Sequence, residues 1–167
     1  MATLLHRVLD NFYWRIGAIS PTYSGEGRPV GRFRAWDVED GRDPAKGTGW
    51  TRRFWVEWLG SDEDIGATTN EIREAWHTYR VHVIYPRRQG SHRRTMAMIA
   101  QDRHDLCRHL RGAIATDHRL GYDDDNPTTN IGLAKRVRTG DELRLLAGND
   151  KIYELVLEWT CFVLETE

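Results

Sequence analysis

The chain is poor in the residues that mark secreted, membrane-spanning or metal-stapled proteins. Only two cysteines occur in 167 residues, Cys107 and Cys161, and both lie in apolar patterns. That count excludes a disulfide framework and a Cys-rich zinc cluster, and it reads as a pair of reduced core thiols. Long apolar runs are missing too. The opening stretch MATLLHRVLDNFYWRIGAI is interrupted by His6, Arg7, Asp10 and Arg15, so it lacks the core of a signal peptide. No stretch reaches the roughly 20 apolar residues that a bilayer span needs. The expectation is a soluble protein, intracellular where it is made.

An excess of one charge is also absent. Lys and Arg number 24 against 25 Asp and Glu, for a net charge of −1. A generally basic nucleic-acid binder is thereby excluded, and any DNA contact must be local. Missing as well are GxxxxGK[ST], GxGxxG after a strand, HExxH and GxSxG. Phosphate-loop, dinucleotide, zincin and hydrolase-elbow chemistry therefore have no marker, and the expectation is no enzyme, no cofactor and no bound metal.

What is present builds one core. An apolar share of 40% suffices for a single domain over residues 1–167. Leu4, Leu5, Val8, Leu9, Phe12 and Ile16 recur at helical spacing and predict a helix from Thr3 to about Ala18. Two turn-rich stretches follow, Ser20 to Gly31 and Glu39 to Gly49, with a strand expected between them over Val30 to Glu39. Phe54, Val56 and Trp58 alternate within one strand, and Tyr79, Val81, Val83 and Tyr85 within a second over Thr78 to Tyr85. A third long exposed loop is expected near residues 60–76, where Thr68 to Glu71 suggest the cap of a short helical turn.

A second helix is expected from a cap at Ser91, through Met96, Ile99, Leu106 and Leu110, to an end at Gly112. The tail predicts a hairpin: Leu143 to Leu146, a turn in AGND, then Lys151 to Leu164 with Tyr153, Leu155, Leu157, Trp159, Cys161 and Val163 on one face. Ile131 to Arg138 is a candidate extension. This order has no strict βαβ alternation. It predicts an α+β fold, a mostly antiparallel sheet with an N-terminal and a central helix on one face.

Four stretches carry candidate chemistry. In QDRHDLCRHL, Asp105 and His109 stand one helical turn apart, as do His104 and Arg108, which suits a carboxylate–imidazole pair or a hydrolase metal site. The plainer reading is an outer helix face with charge pairs. Asp123, Asp124 and Asp125 could offer oxygen ligands to a cation, but Pro127 and the lack of a closing Glu favour a solvated acidic loop. Trp36, Trp50 and Trp55 belong to seven tryptophans, a surplus that with arginine suits protein interfaces or base stacking. The turn YPRRQGSHRR places Arg87, Arg88, Arg93 and Arg94 between a strand and a helix. Arg93 and Arg94 there oppose the helix dipole, a cost that an acidic partner would offset.

Together, the amphipathic first helix, TYRVHVIYPRR leading into TMAMIAQDRHDLCRHLR, and the closing YELVLEWTCFVLE resemble the tail terminator (tail completion) proteins of long-tailed bacteriophages. The resemblance rests on length, element order and the last strand, over most of the chain, with no diagnostic motif. Other neck or tail-tube components share these features. It implies a structural virion protein in tail and neck, assembled in the host cytoplasm. Its subunits would form a hexameric ring that caps the tail tube, stops its polymerisation and meets head-side neck proteins, with DNA passing through the lumen. Arg87, Arg88, Arg93, Arg94, Trp36, Trp50 and Trp55 are then the expected contacts, and Asp123 to Asp125 a lumen-facing or partner-facing acidic loop. A single-stranded nucleic-acid binding module using Trp55, Trp58 and the arginine turn is the alternative from another class.

Overall fold

Apolar residues three and four apart give the first helix one buried stripe. In the computed structural model, which describes residues 4–23, 31–36, 51–63, 72–87, 92–116 and 136–166, α1 spans Leu4–Ala18. Val8, Phe12 and Ile16 point into the core, and Ile19 closes the end by donating its N–H to the Ile16 carbonyl at 3.1 Å. The remaining elements are β1 (Arg34–Ala35), β2 (Arg53–Glu63), β3 (Ile72–Pro86), α2 (His92–Thr116), β4 (Arg136–Leu146) and β5 (Asn149–Thr166).

The strands form one five-stranded sheet in the order β1-β2-β3-β5-β4. β1 runs parallel to β2, and all other neighbours are antiparallel. Period-two alternation assigns the faces. The cross-strand rows Phe54–Val83–Leu155 and Val56–Val81–Leu157 lie on the side that both helices cover. Ile99, Leu106, Cys107 and Leu110 of α2 complete that core, together with Tyr79, Trp159 and Cys161. Each large apolar side chain so buried contributes roughly 1.5–3 kcal/mol. The α+β architecture expected from the sequence is the one observed, and Cys107 and Cys161 are buried free thiols.

A buried polar pin joins the helix layer to the start of β2. The Arg52 guanidinium donates from Nε at 2.6 Å and from Nη2 at 2.8 Å to the Asp102 carboxylate, and from Nη1 at 2.9 Å to the Gly31 carbonyl. Tyr85 Oη donates to Asp102 Oδ2 at 3.0 Å. Arg52 sits at φ 63°, a left-handed conformation that L residues avoid. These bonds hold it there and hand the chain into the sheet. Burial pushes the Asp102 carboxyl up in pKa against the pull of Arg52 and Tyr85. Burial first, then Asp102, pushes the Tyr85 phenol well above its ordinary value.

Several boundaries differ from the sequence reading. α2 continues past Gly112 to Thr116, since one interior glycine costs only about 1 kcal/mol relative to alanine. The loop expected near 60–76 shrinks at both ends. β2 runs on to Glu63 through a bulge between Trp58 and Gly60, and β3 begins at Ile72. Gly60, at φ 130°, is the residue type that such a bulge tolerates, so it bends the strand without ending it. The strand expected over Val30 to Glu39 reduces, within residues 31–36, to Arg34–Ala35. Pairing on the far side of Arg52 supports only that much: Arg34 N–H reaches the Arg52 carbonyl at 3.1 Å, and Trp36 N–H the Phe54 carbonyl at 2.7 Å.

The segment after Ser20, expected as an exposed loop, has no regular structure over residues 20–23, with Ser20 and Thr22 exposed, and it is tied to α2 at its start. Thr22 donates its backbone N–H at 2.8 Å and its hydroxyl at 2.9 Å to Asp105. In the tail hairpin the turn is Ala147–Gly148, with Gly148 at φ 77°, and β5 already begins at Asn149. The cap at Ser91 and the turn at Thr68 to Glu71 lie outside the described residues.

Candidate interaction surface

Alternation leaves the sheet a second face, away from both helices, and its residues are charged and aromatic. Trp55, His82 and Val156 form one row across it, and Glu57, Arg80 and Glu158 form the next. A chain of hydrogen bonds crosses this face from one edge toward the other. His82 Nδ1 donates to Glu154 Oε1 at 2.6 Å, while His82 Nε2 faces Glu57 Oε2 at 3.3 Å. Arg144 Nε donates to Glu154 Oε2 at 2.8 Å and lies 3.8 Å from Glu142 through Nη1. Arg80 Nε donates to Glu158 Oε2 at 2.9 Å in the row beside it.

Glu154 is the centre of this chain. Burial works to raise its pKa, but the bonds from His82 and Arg144 outweigh that and hold it below the usual carboxylate range. The arrangement links Glu57 of β2 to Arg144 of β4 through two intervening strands. Chemically it is a satisfied structural network, with no nucleophile beside a base.

Trp55 stacks face to face on His82, with ring centroids 4.6 Å apart and planes 3° from parallel. Trp36 meets Trp55 edge-on at 4.9 Å. Both tryptophans, expected as contacts with other molecules, are thus engaged within the chain, packing against Ile84 and Ile152. Trp58 lies on the other side of the sheet, in the row with Tyr79, where its indole N–H donates to His77 Nδ1 at 3.2 Å. Trp55 and Trp58 therefore cannot form one stacking platform for bases.

The two long edges of the sheet carry exposed apolar side chains. On β2, Trp58 and Leu59 are each 41% exposed, and on β4 Leu143 is 41% and Leu145 45% exposed. Trp14, on the outer side of α1, is 59% exposed. Soluble proteins usually shield strand edges of this kind with charge, bulges or a covering element. Tyr13 does so at one point of β2, where its hydroxyl accepts the Val56 N–H at 3.1 Å. On β4, Asp141 is tied back to α2 by a charge-assisted bond from Arg103 Nε, which raises the Arg103 pKa.

The arginine turn divides. Arg87 is fixed on its own sheet: its N–H reaches the Lys151 carbonyl at 2.7 Å, its Nη1 the Asp150 carbonyl at 2.9 Å, and its guanidinium lies 5.3 Å from the Tyr153 ring centre. Arg93 and Arg94 are exposed in the first turn of α2, as expected, next to His92, whose Nδ1 lies 3.0 Å from Tyr153 Oη. Arg88, Trp50 and Asp123 to Asp125 lie outside the described residues.

The carboxylate–imidazole pair considered in QDRHDLCRHL is not what forms around Asp105. Asp105 faces inward, and its oxygens accept from Thr22 and from Gln101 Nε2 at 3.1 Å. His104, Arg108 and His109 are exposed on the outer side of the helix. Partial desolvation first, and the Arg15 charge second, lower the His109 pKa. Among the described residues, no group of three His, Cys, Asp or Glu is placed to hold a metal ion. Among them, too, no helix is long and apolar enough to cross a membrane.

Sequence reasoning missed Asp102 and Glu154. Both had a signal. Asp102 falls three residues after Ile99 and four before Leu106, on the apolar stripe itself. His82 and Glu154 alternate with apolar neighbours in strands whose other face is buried. No protein-family model matches the chain, and a search of curated proteins gives no match.

Proposed function

We propose that this protein is a structural assembly subunit, a ring-former of the phage tail-terminator kind that caps a tail tube and joins it to the head-side neck. The observation that carries the reading is where the exposed large apolar residues lie. Among the described residues, four of the five sit on the two outer long strands, Trp58 and Leu59 on β2 beyond its pairing with β1, and Leu143 and Leu145 on β4. Two unlike patches at opposite sides of one sheet suit a heterologous, head-to-tail contact, and repeated about an axis such contacts close into rings. A two-fold dimer would need only one self-complementary patch.

Other features support the same class of function. The polar groups of the open face are spent on one another, as in a scaffold, and Trp55 has His82 and Trp36 against it, which leaves it poorly suited to base stacking. The expected partners are copies of the chain, the tube protein and neck proteins. The test is assembly on purified tail tubes. Added protein should form rings at tube ends and stop their growth, and tubes that keep elongating in its presence would refute the reading.

A further inference from the structure

We infer that the contact between copies is a strand pairing, with β4 of one copy lying antiparallel against the outer half of β2, Glu57 to Glu63, of the next. This rests on the ring reading above and names its partner surface. Among the described residues, β1 pairs only with Arg53 and Phe54 of β2, so the strand beyond them has no neighbour on that side, and nothing pairs with β4 opposite β5. Five consecutive residues of β4, Asp141 to Leu145, are exposed on both faces, as are Glu57, Trp58 and Leu59 of β2.

Direction, charge and face all agree. β2, β3, β5 and β4 alternate in direction, so β4 runs opposite to β2. A neighbour related by rotation about an axis to which the strands are tilted, so that the four-residue offset between the rows of Leu143 and Trp58 is taken up as the stagger of a barrel, then offers its β2 antiparallel to this β4, with its helices on the same side of the joined sheet. Residues Glu57 to Glu63 include three acids and no base, whereas β4 holds Arg136, Arg138 and Arg144 against two acids. With Arg144 opposite Glu57 of the next copy, both lie on the open face. Leu143 then stands opposite Trp58, both on the helix side, as their partners Leu155 and Tyr79 show. The diagonal chain Glu57–His82–Glu154–Arg144 would continue from copy to copy, acid against base, around the ring. Tyr13 already occupies the Val56 N–H, so the pairing starts beyond that residue.

Engineered disulfides test this. In the double variant Trp58→Cys, Leu143→Cys the two sites lie three strand spacings and four residues along the strand apart within a chain, roughly 19 Å, too far for an internal bridge. The native Cys107 and Cys161 are buried, so background cross-linking is low. Mild oxidation should give a ladder of linked chains from the double variant and no dimer from Leu143→Cys alone. Rings that form while the double variant stays unlinked would overturn this interface and leave the ring reading standing. Efficient dimers of Leu143→Cys alone would mean β4-to-β4 pairing and overturn it too. An unlinked monomer at every concentration that also forms no rings on purified tail-tube ends would overturn both. If Trp58→Cys disturbs the fold by circular dichroism, Leu143→Lys decides: ring yield should fall at least tenfold with the melting temperature unchanged, and an unchanged yield would overturn the pairing.

Discussion

Arg52 and Asp102 show how one buried pair orders three parts of the fold. The guanidinium joins α2 to the residue before β2 and to the carbonyl of Gly31, while Tyr85 brings in β3. Removing one partner leaves an uncompensated charge in the core. Asp102→Ala should therefore destabilise by about 3–5 kcal/mol in a urea titration, and Arg52→Met combined with Asp102→Leu should recover most of that loss. Glu154 sets a pH dependence of opposite origin. Its pKa is depressed by folding, so its contribution is complete above the ordinary carboxylate value and is lost as pH falls through its folded value. The gap in melting temperature between the wild-type protein and Glu154→Gln should be widest near neutral pH and narrow steadily below about pH 4.5. A gap constant from pH 7 to pH 2 would mean that the His82 and Arg144 bonds do not hold this carboxylate.

At the scale of elements, periodicity was readable wherever one face is apolar. The stripe Val8, Phe12, Ile16 and the alternation Tyr79, Val81, Val83, Tyr85 marked α1 and the inner half of β3 because burial is one-sided there. The outer half of β3, Ile72 to His77, was not readable. It is a strand because β2 and β5 pair with it, and pairing across dozens of residues leaves no local mark. Gly60 and Gly112 misled for a common reason: glycine permits a break without requiring one. The bulge gives Gly60 a specific task, since φ 130° is strained for any other residue. Gly60→Val should cost about 1–3 kcal/mol in thermal or chemical unfolding. The start of α2 supplies another prediction. Arg93→Glu with Arg94→Glu improves the match to the helix dipole, so stability should rise slightly, by about 0.3–1 kcal/mol per residue. Ring assembly should nonetheless fall if this corner meets acidic groups on a neighbour, and normal assembly of the variant would show the corner to be merely solvated.

For the whole molecule, the sheet order decides what the exposed residues mean. Trp36 and Trp55, expected as contacts, are half-buried and pack on each other, with Trp55 stacked on His82, while among the described residues Trp58, Leu59, Leu143 and Leu145 stand more exposed on the outer long strands. No local pattern reveals which strands become edges, because that depends on β5 inserting between β3 and β4. Unlike edges running in opposite directions suit the head-to-tail contact proposed between copies. The mass of the purified protein in solution, measured by light scattering alongside negative-stain images, tests this most directly. The expected result is closed rings with a mass six times the 19.4 kDa chain. A monomer or a two-fold dimer at every concentration, with no rings even on tail-tube ends, would contradict it.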